Sequence, residues 1–149
     1  MIMIVPDINL LLYAYNSGAA QHSAARIWWE TLLNAETPVG LPWAVACGFV
    51  RLATHARVFA APMPLELALG IVESWWNRGH VQAIHPGPRH WGLLCQNLRA
   101  AGTAGALTTD AHLAALAMEW QCELHSNDAD FSRFPGLRWH NPLDASRTT

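Results

Sequence analysis

Four aspartates stand in three short signatures: Asp7 in V-P-D-I-N, Asp110 in T-T-D-A-H-L-A-A-L-A, and Asp128 with Asp130 in S-N-D-A-D-F. Each signature follows or adjoins a short apolar run able to form a strand, and each falls at or just before a helix start. Carboxylates gathered at strand ends repel one another unless a cation joins them. Hard oxygen donors of this kind suit Mg²⁺ or Mn²⁺. The chemistry this points to is metal-assisted phosphodiester hydrolysis, in which a cation polarises the phosphorus centre and lowers the pKa of the attacking water. In-line attack leaves a 5′-phosphate and a 3′-hydroxyl. All four aspartates are therefore candidate catalytic and metal-ligating residues. Asn9, Thr109 and Ser126 are candidate supporting residues within the same signatures.

Each aspartate also has an ordinary alternative. Asp7 can cap a following helix, and Asn9 can either orient the Asp7 carboxylate or serve as a cap or turn residue. Asp110 can be a cap held by Thr108 and Thr109. Asp128 and Asp130 can form an Asx-turn that opens a helix. Three such segments in one small chain favour a shared site over three unrelated caps.

The elements that must position these residues alternate. Ile2–Val5 reads as a buried first strand ended by Pro6, and Asp7 leads into a helix over Ile8–Tyr15. Helices are expected over Ser23–Asn34, from Pro42 through Arg51 to about Thr54, over Leu65–Trp76, and over Arg89–Ala101 with a stop at Gly102. Val39–Leu41, Val81–Ile84 and Glu123–His125 read as strands, and Leu137–Trp139 as a last edge strand. Ala106–Thr108 reads as a strand or an extended approach to Asp110, with His112–Trp120 helical after it. This alternation predicts an α/β fold with a mainly parallel sheet. Ligands of such sheets sit outside the carboxyl ends of the strands, where Asp7 and Asp128 fall.

The bulk numbers agree with one folded domain over residues 1–149. With 52% hydrophobic and 13% charged residues, disorder is excluded. No apolar run reaches the roughly 18 residues of a membrane span. The start lacks a basic region and a cleavage site, so no signal peptide is expected and the location implied is cytoplasmic. Cys47, Cys95 and Cys122 are odd in number and widely spaced, which predicts buried free thiols rather than disulfides or a zinc site. The formal charge is −2, yet with the four signature aspartates set aside, seven acids face nine arginines and no lysine. The remainder is mildly positive, compatible with a phosphate-bearing partner.

The signatures together resemble the PIN-domain ribonucleases, in particular the VapC-type toxins of VapBC toxin–antitoxin pairs. The likeness spans nearly the whole chain. It is most specific in A-L-T-T-D-A-H-L-A-A-L-A-M-E-W through S-N-D-A-D-F-S-R-F-P-G-L-R-W-H-N-P-L, with F-V-R-L-A-T-H-A-R-V-F as further support. The resemblance implies a PIN-like three-layer fold, a Mg²⁺-dependent acidic site that cleaves RNA, a homodimer, and a cognate antitoxin encoded next door. It places the family's first, third and fourth acids on Asp7, Asp110 and Asp128, with Asp130 as the supporting acid. The family's second acid is a glutamate that would fall near Cys47-Gly48, but no acid stands anywhere from Thr37 to Leu65. Water is expected to fill that place, since Mg²⁺ keeps several waters. A second bound metal is correspondingly doubtful.

Two rival functions follow. The missing glutamate would suit a catalytically weakened PIN-like module that binds RNA or a partner. An aspartyl-phosphate phosphomonoesterase needs an acid two residues after its nucleophile, where this chain has Asn9. His112 is expected to point away from Asp110, as a surface or packing residue. Glu119, half a helical revolution off, is expected to be structural. Arg51, Arg133 and Arg138 can touch RNA phosphate or be solvated surface. Trp28, Trp29, Trp75 and Trp76 are expected in core or interface.

Overall fold

The computed structural model describes residues 1–144; residues 145–149, counted in the expected domain, lie outside the described residues. Five strands form one wholly parallel sheet: β1 (Ile4–Pro6), β2 (Val39–Pro42), β3 (Val81–Ile84), β4 (Glu123–His125) and β5 (Arg138–His140), in the order β3-β2-β1-β4-β5. Six helices connect them: α1 (Ile8–Tyr15), α2 (His22–Leu33), α3 (Trp43–Ala53), α4 (Leu65–Trp76), α5 (His90–Ala101) and α6 (Leu107–Glu119). A short 3-10 turn, Ala129–Arg133, follows β4. The expected α/β, PIN-like architecture is the one found.

A parallel sheet covered by helices is dry on both faces, so its strands read as unbroken apolar runs rather than alternations. Val39–Pro42 is buried at every position for that reason. Helix α1 packs on α2 and α3, and α3 on α4, while α5 and α6 form a separate pair. Between α1, α2, α3 and α4 lies an aromatic nucleus. Trp75 meets Phe49 edge-on at 4.8 Å and Trp29 at 5.4 Å, and its indole N–H donates to the Tyr15 hydroxyl at 3.0 Å. Trp29 and Trp75 are thus core, as expected. Trp28 is half-buried, and Trp76 stacks against the exposed Trp43.

Most element boundaries fall within two residues of expectation, but two expectations need correction. The segment before Asp110 is not a strand. Gly102 ends α5 in the left-handed region (φ 73°), Gly105 does the same three residues later (φ 59°), and Leu107 already opens α6. Two left-handed glycines reverse the chain so tightly that no extended approach is left. The cysteines are all free, but only Cys122 is buried; Cys95 is half-buried and Cys47 exposed. Cys47 lies on the outer side of α3, turned from the core that Ala46 and Phe49 enter.

Candidate functional site

The site grows from the carboxyl ends of β1 and β4. The two strands pair in register from Ile4 with Glu123 to Pro6 with His125. The ladder runs one residue further, with the Asp7 N–H donating to the His125 carbonyl at 2.9 Å. That extra rung brings Asp7 beside Ser126. The Ser126 hydroxyl donates to Asp7 Oδ2 at 2.7 Å and accepts the Asp128 N–H at 3.0 Å. One hydroxyl therefore ties the first signature to the last across the sheet. Ser126 is itself fixed, since its N–H donates to the His140 carbonyl and its carbonyl accepts the Trp139 indole N–H.

Asp7 stands at the cap position of α1 but makes no side-chain cap bond; its carboxylate serves Ser126 instead. Asp128 does cap: its Oδ1 accepts the Asp130 N–H at 2.9 Å and so opens the 3-10 turn. Phe131 anchors that turn in the core. Asp110 lies in the first turn of α6, past the cap, and is half-buried. Carboxylates there gain from the unpaired N–H groups of the helix start. The helix is held close by its small buried face, Ala111, Ala114, Ala115 and Ala117.

These placements bring together one carboxylate oxygen each from Asp110, Asp128 and Asp130, all within 4.8 Å of one another. Asp7 lies behind them, buried, and shares with Asp110 a cavity of about 270 Å³. The charges feel one another. The Asp110 carboxyl is pushed up to about 6, first by partial burial, then by Asp128, Asp7 and Asp130. Burial raises Asp7 as well, against the lowering effect of the Ser126 hydrogen bond, and the charge of Asp128 adds a smaller push. A divalent cation among these oxygens would relieve the repulsion that raises them. The donor set, all hard carboxylate oxygen, fits Mg²⁺ or Mn²⁺.

The opposite wall belongs to α3 and carries no acid. Ala44, Val45, Gly48 and Leu52 line it with Arg51. Gly48 thus faces the site, at the place where the resemblance puts a glutamate. A Cβ there would run into Ile8 Cδ1, the free end of a flexible side chain that fills the space a longer residue would use. Asn9 and Thr109 also line the cavity, yet neither hydrogen-bonds an aspartate among the described residues. Of the arginines, Arg133 reaches Asp130 only at 4.0 Å, across exposed surface, where a pair contributes little. Arg138 starts β5, at the other end of the sheet.

His112 corrects an expectation. Rather than pointing away, it lines the cavity with Asp110, and its Nδ1 lies 2.8 Å from His90 Nε2. Its pKa is lowered by burial and by His90. The sequence carries no local sign of this, because His90 sits on another helix. Glu119 is structural, as expected: it accepts the Gly87 and Arg89 N–H groups at the start of α5.

Fold and site define a parallel α/β protein with an acidic centre at the strand ends, of the type that holds a hard cation. No family model matches the chain. Ribonuclease VapC33 of Mycobacterium tuberculosis is 46% identical over 141 residues, 95% of this chain and 99% of the relative. Ribonuclease VapC37 of the same organism is 39% identical over 140 residues, 94% of this chain and 97% of the relative. Among solved structures, VapBC2 from Rickettsia felis bound to a DNA fragment from its promoter aligns with a TM-score of 0.67 at 17% identity, over 94% of this chain and 98% of that one. The chain belongs to the VapC ribonuclease family.

Proposed function

We infer that this chain is a metal-dependent endoribonuclease, the toxin of a toxin–antitoxin pair. The observation that carries the reading is the cluster of Asp110, Asp128 and Asp130 oxygens within 4.8 Å, in a chain 46% identical to a named ribonuclease. We assign metal binding and catalysis to Asp7, Asp110, Asp128 and Asp130, and take Mg²⁺ as the ion, with Mn²⁺ able to substitute. When bound, that ion supplies Lewis acidity toward a phosphate oxygen and a lower pKa for water.

The chain's own residues do the rest. Asp128 and Asp130 present their oxygens from a turn pinned by Phe131, so the geometry needs little reordering. Asp7 is held by Ser126 in a position behind the cluster, where its charge adds to the field at the cavity floor. Asp110, its carboxyl raised to about 6, holds its proton most tightly near neutral pH, and a cation entering the cluster would displace that proton. Arg51 and His112 offer donors to a phosphate strand along the cavity. Water attacks phosphorus, the P–O3′ bond breaks, and the products carry a 5′-phosphate and a 3′-hydroxyl.

The named structural neighbour is a VapBC complex, which supports a cognate antitoxin as partner here. A homodimer is proposed through the exposed Trp43, Leu65, Leu67 and Leu69 of α3 and α4. Among the described residues no helix is long and apolar enough to cross a membrane; a cytoplasmic location is part of the same proposal. The acid-free wall at Gly48 favours a second reading, a weakened module that binds RNA without cutting it. A nuclease assay in Mg²⁺ against EDTA, with a phosphomonoester control, decides. Mg²⁺-dependent RNA cleavage without phosphomonoesterase activity is expected. RNA binding with no cleavage would favour the second reading.

A further inference from the structure

We propose that His112, held by His90 as the Nε2–H tautomer, donates a hydrogen bond to a phosphate oxygen of RNA lying in the acidic cavity. The proposal rests on the nuclease reading and adds a substrate contact to it.

The argument begins in the seam between α5 and α6. His90 Nε2 and His112 Nδ1 lie 2.8 Å apart, so one of the two nitrogens carries a proton and the other a lone pair. The other nitrogen of His90, Nδ1, is buried without a partner. Two arrangements are possible. If His112 Nδ1–H donates, His90 must carry its own proton on Nδ1, as a buried N–H with nothing to accept it. If His90 Nε2–H donates, its Nδ1 is a bare lone pair. Buried unpaired N–H groups are the rarer and costlier defect, and unused acceptors are better tolerated. The second arrangement wins.

It dictates the other side of His112. With Nδ1 accepting, the neutral ring carries its proton on Nε2. That atom makes no hydrogen bond among the described residues, and it is not among the buried unpartnered atoms, so solvent reaches it. The ring lines the same cavity as Asp7, Asp110 and Arg51. The cavity therefore holds a fixed N–H donor on α6 and, on the α3 wall, a guanidinium with no ion pair among the described residues. A phosphodiester group offers only acceptor oxygens and is repelled by bare carboxylates. Donors beside the acidic cluster are what it needs to lie there. Neutral His112 serves this role without changing its charge. His90 is then a positioning residue, acting through His112.

Two substitutions separate the ring's two nitrogens. In His112→Asn the amide oxygen can take the place of Nδ1 as the acceptor from His90, which leaves the Nε2 position empty. In His112→Gln the amide nitrogen reaches the place of Nε2 and keeps a donor there. The measurement is the dissociation constant of a fluorescein-labelled single-stranded RNA oligonucleotide, with Ca²⁺ in place of Mg²⁺ to fill the carboxylates, alongside thermal melts. His112→Asn should weaken binding about tenfold, equivalent to about 1.4 kcal/mol. His112→Gln should stay within about threefold of the parent, a difference of less than 1 kcal/mol. Equal affinity for parent and Asn variant, or equal weakening by both variants, overturns the proposal. Independently, long-range ¹⁵N–¹H correlation spectra of the parent protein should show His112 protonated at Nε2; protonation at Nδ1 alone overturns it too. Cleavage in Mg²⁺ is assayed separately. RNA bound with the expected variant pattern but never cut sinks the nuclease reading and leaves the His112 contact standing, whereas failure to bind RNA sinks both.

Discussion

The two walls of the cavity are built on different plans. On the sheet side, hydrogen bonds tether two of the four acids: Asp7 to Ser126, and Asp128 to Ser126 and to the Asp130 N–H. On the α3 side stand Ala44, Val45, Gly48 and Leu52, with the exposed Arg51. One wall concentrates negative charge on rigid supports, and the other offers apolar surface and a single cation. The difference teaches how the site can hold a cation with ligands from one side only. Were the acidic wall to hold Mg²⁺, the acid-free α3 side would leave room for water and substrate oxygen, and the ion would supply Lewis acidity toward phosphate.

Breaking the acidic wall should have the largest effect. Asp110→Asn or Asp128→Asn preserves shape and removes charge. Mg²⁺-dependent RNA cleavage should fall at least about a hundredfold, roughly 2.7 kcal/mol of barrier, with an unchanged melting profile in Mg²⁺-free buffer or a higher one. Asp7→Asn should do the same. Full activity in all three purified variants would refute the site assignment.

Loosening the same wall should cost less. Ser126→Ala removes the hydroxyl shared by Asp7 and the Asp128 N–H, at an expected cost of about 1–3 kcal/mol in stability. The charges remain, so cleavage should drop only about tenfold, or roughly 1.4 kcal/mol of barrier. Loss as severe as in the aspartate variants would mean that Ser126 does more than hold them.

Acidity probes the wall without mutation. The Asp110 carboxyl holds its proton more tightly in the folded protein than in the unfolded chain, with a folded value of about 6. Its contribution to stability is therefore present below the ordinary value of 3.8 and is lost as pH rises through about 6. In EDTA, Asp110→Asn should gain on the parent protein as pH rises from 4 to 7, by about 1 kcal/mol once solvent screening of this half-exposed group is allowed for. Mg²⁺ affinity of the parent should fall about tenfold from pH 7 to pH 5 as protons compete for Asp110. A flat profile would show that Asp110 is not a ligand.

The smallest effect should come from adding charge to the bare wall. Gly48→Glu alone must displace Ile8, so Ile8→Ala/Gly48→Glu is the cleaner variant. One more carboxylate should tighten Mg²⁺ roughly threefold to tenfold. Unchanged affinity in a folded double variant would mean that the new side chain does not reach the cluster.

How much of this was legible beforehand differs from residue to residue. Strand–helix alternation and the three aspartate signatures are local patterns, and they placed the sheet and the acids at its rim. Helices α1 and α4 and strands β3 and β4 begin and end where those patterns put them. The start of α6 departs from expectation because Ala106–Thr108 can suit a strand, and the paired left-handed glycines that override it act only through backbone geometry. The Ser126 bridge depends on one ladder rung between strands 119 residues apart in the chain, so Ser126 could be named as a candidate but its partner could not. His112 was misjudged because its orientation is fixed by His90, 22 residues away on a different helix. Gly48 could be seen as a missing glutamate, but not that Ile8 occupies the freed space.

The central claim is that Asp110, Asp128 and Asp130, backed by the buried Asp7, hold one divalent cation together. Crystals of the protein grown with Mn²⁺ and recorded at the manganese absorption edge test it directly. The account predicts one anomalous peak among these three carboxylates, at Mn²⁺–oxygen distances slightly longer than the roughly 2.0–2.1 Å of the smaller Mg²⁺, with open positions toward Arg51 and His112. A peak elsewhere, or none at these residues under saturating Mn²⁺, would contradict it.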